Sequence, residues 1–403
     1  MPAGSEDTFG LKPAHYPPAA PSFPRLPATV IALGAVSLLQ DMAGDMVHPL
    51  IPAFVAAVGA GPEALGLIEG VADATTSLLQ VASGYLADRV GRLKAITLVG
   101  YGVATALRPL LAIVTAWWQI LAVRFGDRAG KGIRAAPRDT LLAQAAAPSL
   151  RGRAYGFHRA MDHVGAILGP ALGYLMLSHG VSMRAVFAWS AVPGVAACLV
   201  LALSVRGEKT RRPAAKIALG IPASPVYRRY LLAVLLFTLG CSSDSFLLWR
   251  ASQLGIPVAD APLLWIVLHV VKSATSTWGG ALSDRRGRRF AIVAGWCAYA
   301  LVYVGFGLAR LPWHVWTLFA AYGIYFGLAE GAEKAAVVDL VEEDWRGRAL
   351  GAYHAVVGFA MLPASIVFGI VYQRAGAEAA FMMGAALAAL AVAVLPRLRP
   401  GDL

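Results

Sequence analysis

Charge is scarce in this chain: Asp, Glu, Lys and Arg make up 14% of its 403 residues, while 58% are hydrophobic and the mean hydropathy is +0.62. Soluble domains carry about 25% charged residues, so a water-soluble globule is excluded; its surface would aggregate. Cysteine is nearly absent. Cys198, Cys241 and Cys297 lie inside apolar stretches with no paired spacing, which argues against a zinc site or a disulfide framework. Strand-like alternation is missing, and so are the motifs that catalysis requires: no Walker-type phosphate loop, no HExxH and no strand-borne nucleophile. Residues 130–134, GKGIR, have a superficial likeness to a phosphate loop, but they lack the earlier glycine at the right distance and the following Ser or Thr. No enzyme, no metal, no cofactor and no ATP-driven pump is expected.

What the chain does have is a series of apolar runs of roughly 20 residues, the length that crosses about 30 Å of hydrocarbon at about 1.5 Å per residue. They occupy residues 28–58, 64–87, 93–115, 117–142, 153–178 and 184–205, then 230–253, 262–282, 290–308, 313–340, 348–373 and 377–395. Helices satisfy their own backbone in lipid. The reading is an all-α polytopic membrane protein with twelve transmembrane helices in two bundles of six, at 28–205 and 230–396. A proline-rich stretch, 1–27, lacks the pattern of a cleavable signal and reads as a disordered tail. A basic connector at 206–229, with Arg211, Arg212 and Pro213, separates the bundles, and 397–403 forms a second tail.

Lysine and arginine are retained on the cytoplasmic side of a membrane. The connector, the turns with Arg151 and Arg153 and with Arg346 and Arg348, the tail with Arg397 and Arg399, and the turns near residues 90 and 286 all fall on one side. Both termini are therefore expected in the cytoplasm, in a plasma (inner) membrane. The net charge of +12 is mostly this topology signal; the basic residues are dispersed over separate turns, so no nucleic-acid surface is expected. Contact with anionic lipid headgroups is, and a monomer.

One polar turn between apolar runs recurs: Gly84, Leu86, Asp88, Arg89, Gly91 and Arg92 return in the same order and spacing as Gly280, Leu282, Asp284, Arg285, Gly287 and Arg288. Such a match in the two halves points to internal duplication. Gly91 turns the chain, Asp88 sits where a carboxylate meets a helix N-terminus or an arginine, and Arg89, Arg92 and Lys94 can anchor to headgroups. The turn resembles the loop between the second and third helices of major facilitator superfamily transporters, with its echo between the eighth and ninth. The resemblance implies that fold and a latch on the cytoplasmic gate, carried by Asp88 and Arg92. The plainer reading is a tight basic turn that only sets topology.

Charges at membrane depth mark function when they face a cavity. Asp41, Asp45 and His48 share one face of the first helix, before Pro49 and Pro52; the proline pair resembles the superfamily's proton-coupled exporters. Asp41 and Asp45 are proton-coupling candidates, the alternative being permanent neutralisation by a facing arginine. Glu69 and Asp73 repeat the spacing and read first as structural, with Asp73 and Asp162 as further coupling candidates. On the fourth helix Arg124, Asp127, Arg128, Lys131 and Arg134 form one stripe, with Arg124 where the family has an arginine; Asp127 and Arg128 depart from its pattern. The stripe suits an anionic substrate, or pairs with Asp41, Asp45, Asp73, Glu330 or Glu333. Tyr325, Phe326, Gly327 and Gly331 answer Arg124, Phe125, Gly126 and Gly130, so the fourth and tenth helices are expected to flank one cavity.

In the fifth helix Gly156, Gly165, Gly169, Pro170 and Gly173 reproduce the spacing of the superfamily's antiporter motif, with Tyr174 in place of its last glycine. Close packing and a proline bend make a hinge, expected at the interface between the halves. His158, Arg159, Asp162 and His163 read as a polar cluster or a proton relay. Asp244, in the seventh helix, is expected beside the cavity.

The function expected is secondary transport of a small molecule by alternating access, as proton-coupled efflux; the alternatives are proton-coupled uptake of an organic anion and a non-transporting receptor or scaffold of the same fold. Asp88→Asn removes a gating charge and no packing volume. Transport should fall severely while insertion and abundance stay normal, read by flux beside membrane quantification; full activity of a well-expressed variant contradicts the latch.

Overall fold

The protein is described by a computed structural model covering residues 26–205, 224–342 and 345–396, without the side chains of residues 81 and 85–89. Among these residues the regular structure is all helical. α1 runs Ala28–Asp45, passes through a 3-10 turn at His48–Leu50 and continues as Ile51–Ala57. α2 is Pro62–Val90, and α3 is Leu93–Leu107, extended by a 3-10 turn at Arg108–Ile113. α4 is Trp117–Ala145, α5 is Arg151–Ser178, and α6 joins Met183–Trp189 to Ala191–Ser204. In the second half α7 comprises Pro225–Gly240 and Ser245–Gln253, α8 is Ala261–Arg286, α9 is Arg288–Leu308 and α10 is Pro312–Asp339. The stretch Arg346–Val394 is broken at Gly376, whose φ of 89° no helix accommodates, into α11 and α12.

Eight of these helical stretches are long and apolar enough to cross a membrane by length and composition. α2, α4 and α10 match them in length but are too polar to qualify. Their polar residues must face inward, since lipid cannot solvate them.

The expected spans lie close to the observed helices, with one shift. The second bundle begins at Pro225 rather than at residue 230, because Ser224 caps the helix by accepting the Tyr227 N–H at 3.3 Å and Pro225 occupies its first turn. Buried Tyr227 then donates to the Ala349 carbonyl at 2.8 Å. The basic connector is shortened accordingly; its residues 206–223, and the tails at 1–25 and 397–403, lie outside the described residues.

Packing repeats between the halves. α2 lies on α4 as α8 lies on α10, α3 on α4 as α9 on α10, and α1 on α6 as α7 on α12. Both signature turns pass through a glycine in left-handed backbone, Gly91 at φ 64° and Gly287 at φ 90°, a conformation that a Cβ disfavours. Across the halves α2 packs on α11 and α5 on α8. A Cβ on Gly66 would run into the Ser365 backbone, and one on Gly369 would meet that of Pro62; Arg374 reaches Glu63 at 3.5 Å on the same end. At the other end Gly152, Gly156, Gly347 and Gly351 have no described neighbour within 4 Å of where a Cβ would stand. The halves meet at the end of the bundle bearing Pro62 and part toward the signature turns.

Within the glycine motif of α5, Gly165 and Gly169 pack on Leu38 and Met42 of α1, inside the first half, while a Cβ on Gly173 would meet Met46 of α1 and stand 4.0 Å from Pro262 of α8. The reason is periodicity: glycines four apart make a groove along one helical face, and α1 presents residues four apart into it.

This contrast is testable by thermal melting of the purified protein. Gly169→Val places side-chain atoms against the Met42 backbone and should lower the melting temperature by several degrees, overpacking costing about 1–3 kcal/mol. Gly156→Ala should leave it unchanged.

Candidate functional site

A cavity of roughly 640 Å³ lies between the halves, walled by α1, α2, α4 and α5 on one side and by α7, α8, α10 and α11 on the other. It reaches from His48 and Trp265 to Arg138, Asp139 and Arg159, toward the signature turns. Of the residues singled out in the sequence, Asp41, Asp45, His48, Asp73, Arg124, Asp127, Arg128, Asp162 and Asp244 all line it. Glu330 lies in an ion cluster beside it.

Two of its walls are broken helices. α1 leaves regular geometry between Asp45 and Ile51, where Pro49 and Pro52 remove backbone donors, and α7 does so over residues 241–244. His48 and Asp244 stand at these breaks, 196 residues apart, the same interval as Gly84 and Gly280. Hydroxyl groups support the break in α7: Tyr299 donates to the Gly240 carbonyl at 3.3 Å, and Tyr303 meets the Ser242 hydroxyl at 2.7 Å. Tyr322 donates to Asp244 at 2.7 Å. Discontinuous helices free backbone groups at membrane depth only where a cavity or protein can satisfy them.

The stripe on α4 divides into paired and unpaired charge. Arg124, 4% exposed, grips Glu69 of α2, 1% exposed, with Nη2 at 2.7 and 2.8 Å from the two carboxylate oxygens and Nε at 3.1 Å from one of them. Asp127 accepts from Arg108 of α3 at 2.7 Å and lies 3.8 Å from Arg124. Two cations and two carboxylates thus form a neutral buried chain through α2, α3 and α4. Arg124 therefore pairs with Glu69, and not with Asp41 or Glu330 as the stripe had suggested; Glu69 sits directly across the α2–α4 contact. Nη2 of Arg124 also lies 3.4 Å from Nδ1 of His48, whose ring meets Trp265 of the second half edge-on at 4.7 Å.

Glu330 is taken by Lys272 at 2.9 Å, Lys334 at 3.1 Å and Arg159 at 3.2 Å, so it too is no partner of Arg128. Asp162 accepts from Ser37 and lies 3.6 Å from His158, a satisfied cluster. Glu333 accepts from the Trp296 indole and the Tyr353 hydroxyl, both at 2.7 Å.

What remains is cavity-lining charge with no ion pair within 4 Å among the described residues: Asp41, Asp45, Asp73, Asp244 and Glu333 on one hand, and Arg128, Lys131 and Arg134 on the other, Arg134 lying over the Tyr101 ring at 4.4 Å. Arg128 Nε is buried without a hydrogen-bond partner, as are both amide atoms of Gln40, which is 1% exposed and lines the cavity. Sequence reasoning missed Gln40 and Arg108 as part of this system. Arg108, a lone cation near the end of an apolar run, carried a usable signal; Gln40 did not.

The signature turns differ in what is visible. Arg288 bridges Asp284 of α8 and Asp339 of α10, the latter at 3.0 Å, so this network ties three helix ends within the second half. Being exposed, it adds little stability. Gly84 approaches Ala136 of α4, a Cβ there standing 3.7 Å away. The side chains of Asp88 and Arg89 lie outside the described residues, and the latch stays an expectation.

A family model described as Major Facilitator Superfamily matches residues 33–362, with a second match at 251–402. The chain belongs to this superfamily. An uncharacterized MFS-type transporter of Methanocaldococcus jannaschii is 31% identical over 375 residues, covering 90% of this chain and 93% of that protein. The class C tetracycline resistance protein of Escherichia coli is 26% identical over 409 residues, covering 93% and 97%. Among solved structures the nucleoside transporter NupG superposes with a TM-score of 0.80 at 13% identity, over 91% of this chain and 98% of that one. A bacterial homologue of the human lysosomal transporter Spinster, in an inward-facing and occupied conformation, gives 0.74 at 16%, over 93% and 97%. These likenesses bear on the fold. As a member of the superfamily the chain is an integral membrane transporter of a small molecule.

The division of charge has a direct test in stability. Glu69→Gln leaves Arg124 with only Asp127 at 3.8 Å and should destabilise the protein by about 3–5 kcal/mol, with recovery in the double variant with Arg124→Met. Arg128→Gln should leave the melting temperature of the ligand-free protein nearly unchanged. A loss from Arg128→Gln as large as that from Glu69→Gln would show Arg128 to be structurally paired.

Proposed function

We propose that the protein is a proton-coupled exporter, an antiporter of the plasma (inner) membrane with both termini cytoplasmic, acting as a monomer. The observation that carries this reading is the placement of Asp41 and Asp45: both are half-buried on one face of α1, both line the cavity, and neither has an ion pair within 4 Å among the described residues. A carboxylate already neutralised by an arginine has no use for a proton. One that faces a cavity with only distant cations can gain and lose it. The names of two curated relatives support the direction: the class C tetracycline resistance protein, and the multidrug resistance protein MdtG of Proteus mirabilis, 25% identical over 166 residues covering 40% of this chain.

The mechanism follows from charge. Ionised Asp41 and Asp45 attract Lys131 of α4, which lies within their electrostatic reach; protonation removes that attraction. The two protonation states then favour different arrangements of α1 and α4, and a proton gradient biases which side the halves open to. The halves rock about the cavity at the α1 and α7 breaks. The cytoplasmic latch of Asp88 and Arg92 would close the end where the halves now part.

A second reading, uptake of an organic anion with protons, is favoured by one feature only, the unpaired cations Arg128 and Lys131. Flux of tetracycline and ethidium in proteoliposomes under an imposed pH gradient separates these from a scaffold that moves nothing. Asp41→Asn or Asp45→Asn should abolish the dependence of flux on the gradient while exchange at equilibrium persists. If both variants remain fully proton-driven, Asp41 and Asp45 are not the coupling site.

A further inference from the structure

Glu333 of α10 is held by three other helices of the second half. Trp296 of α9 donates its indole N–H to Oε1 at 2.7 Å, Tyr353 of α11 donates its hydroxyl to Oε2 at 2.7 Å, and Tyr230 of α7 donates to the Glu333 backbone carbonyl at 2.9 Å. All three rings are buried, and Glu333 and Tyr353 both line the cavity. The carboxylate has no cation within 4 Å among the described residues; Lys334, its neighbour in sequence, gives its ammonium to Glu330 at 3.1 Å.

The two donors to the carboxylate differ in kind. An indole N–H only donates, so Oε1 is an acceptor whatever the charge, whereas a phenol hydroxyl donates or accepts. With Glu333 ionised, Tyr353 donates to Oε2. With Glu333 protonated, Oε2–H donates to the Tyr353 oxygen and the tyrosine's own hydrogen turns away toward the cavity. Neither state leaves a carboxyl oxygen without a partner. Only the cost of charge differs: an ionised group without a counter-ion is expensive at membrane depth, and the neutral acid removes that cost while keeping both bonds. A residue that served only to join α9 to α11 would need no ionisable group. Glu333 also lies six residues before the end of α10 at Asp339, about 9 Å, on the side where the halves part, so the cavity brings water to it from the side of the signature turns.

Resting on the proton-coupled reading above, we infer that Glu333 is a second proton-binding site of the transport cycle, in the half opposite Asp41 and Asp45, with Tyr353 as the positioning residue whose hydroxyl reverses when the proton arrives. The proton comes from water in the cavity, forms one O–H bond at Oε2 and breaks no bond within the protein. Its effect falls on α11. A hydrogen bond to a carboxylate is about twice as strong as one between neutral groups, so proton uptake weakens the hold of α10 on α11. That helix is the one that crosses to the first half on this side of the bundle: five residues past Tyr353, a Cβ on Gly358 would run into Ser77 of α2. The groups that face Glu333 are Tyr230 and Cys241 of α7, Trp296 of α9, Tyr325, Glu330 and Lys334 of α10 and Tyr353 of α11, with the His354 ring 5.2 Å from that of Tyr353. Glu330 is the other carboxylate among them, and three cations already hold it.

The test reads the proton directly. Infrared difference spectra of the purified full-length protein, recorded as the pH is stepped, should contain a protonated-carboxyl band that is missing from Glu333→Gln. Glutamine can keep both hydrogen bonds, so the melting temperature of this variant should stay near that of the wild type and show that it is folded. Tyr353→Phe should keep the band and move it to higher frequency, because the carboxyl loses a hydrogen-bond partner. In proteoliposomes with the membrane potential held at zero, each proton moved per cargo multiplies the accumulation driven by a one-unit pH gradient by about ten. Glu333→Gln should therefore concentrate tetracycline or ethidium about tenfold less than the wild type. Carboxyl bands identical in wild type and Glu333→Gln overturn the assignment, as does accumulation unchanged in that variant; a band that ignores Tyr353→Phe overturns the role of Tyr353. The proton-coupled reading is judged separately: wild-type flux that ignores the gradient sinks that reading, while the infrared band still decides whether Glu333 takes a proton.

Discussion

The buried chain of Arg108, Asp127, Arg124 and Glu69 is the constraint from which the rest of the site follows. Lipid cannot solvate these groups, and an unpaired ion taken from water costs several kcal/mol even after relaxation. Three helices must therefore meet with their charged faces together, and the bidentate grip of Arg124 on Glu69 sets the rotation of α2 against α4. Once that rotation is set, residues one turn along from the pair necessarily face the same interior. Asp73 follows Glu69 on α2 and Arg128 follows Arg124 on α4, and both open on the cavity. The charges without an ion pair are thus held in place by the paired ones.

The two halves share a backbone plan but divide the chemistry. Most of the cavity's charge comes from the first half. The second contributes a block of rings: Phe237 stacks on Trp296 at 4.4 Å, Tyr299 on Tyr303 at 4.1 Å and Tyr322 on Tyr325 at 5.5 Å. Their hydroxyls and indole also satisfy polar groups at the α7 break and at Glu333. One wall is an aromatic surface with few charges; the other is a charged surface. Contact between halves at the Pro62 end relies on glycines that let α2 and α11 backbones touch.

Much of this was legible in one dimension. The all-helical plan, the duplication, and the inward direction of the polar stripe on α4 follow from run length, repeated spacing and the cost of charge in lipid, all of which act locally along the chain. The left-handed glycines of both signature turns were legible for the same reason: a turn between two helices separated by a few residues needs one. The shorter connector was not, because Tyr227 extends α7 beyond the apolar run by a bond to Ala349, a residue far along the chain.

Tertiary structure alone decided which charges are free. The sequence by itself determined that a polar stripe on α4 must face other polar residues, since period and hydropathy dictate direction. It did not determine the partner, because Asp41, Asp73, Glu69 and Glu330 all satisfied the same rule. Glu69 won for Arg124 by lying across the direct α2–α4 contact, while Lys272, Lys334 and Arg159 claimed Glu330. Likewise the α5 glycines declared a close contact by their spacing, yet only the fold showed that α1 fills it. Electrostatic pairing at a few ångströms depends on helix rotation and neighbour identity, which are properties of the assembled bundle and of no single helix.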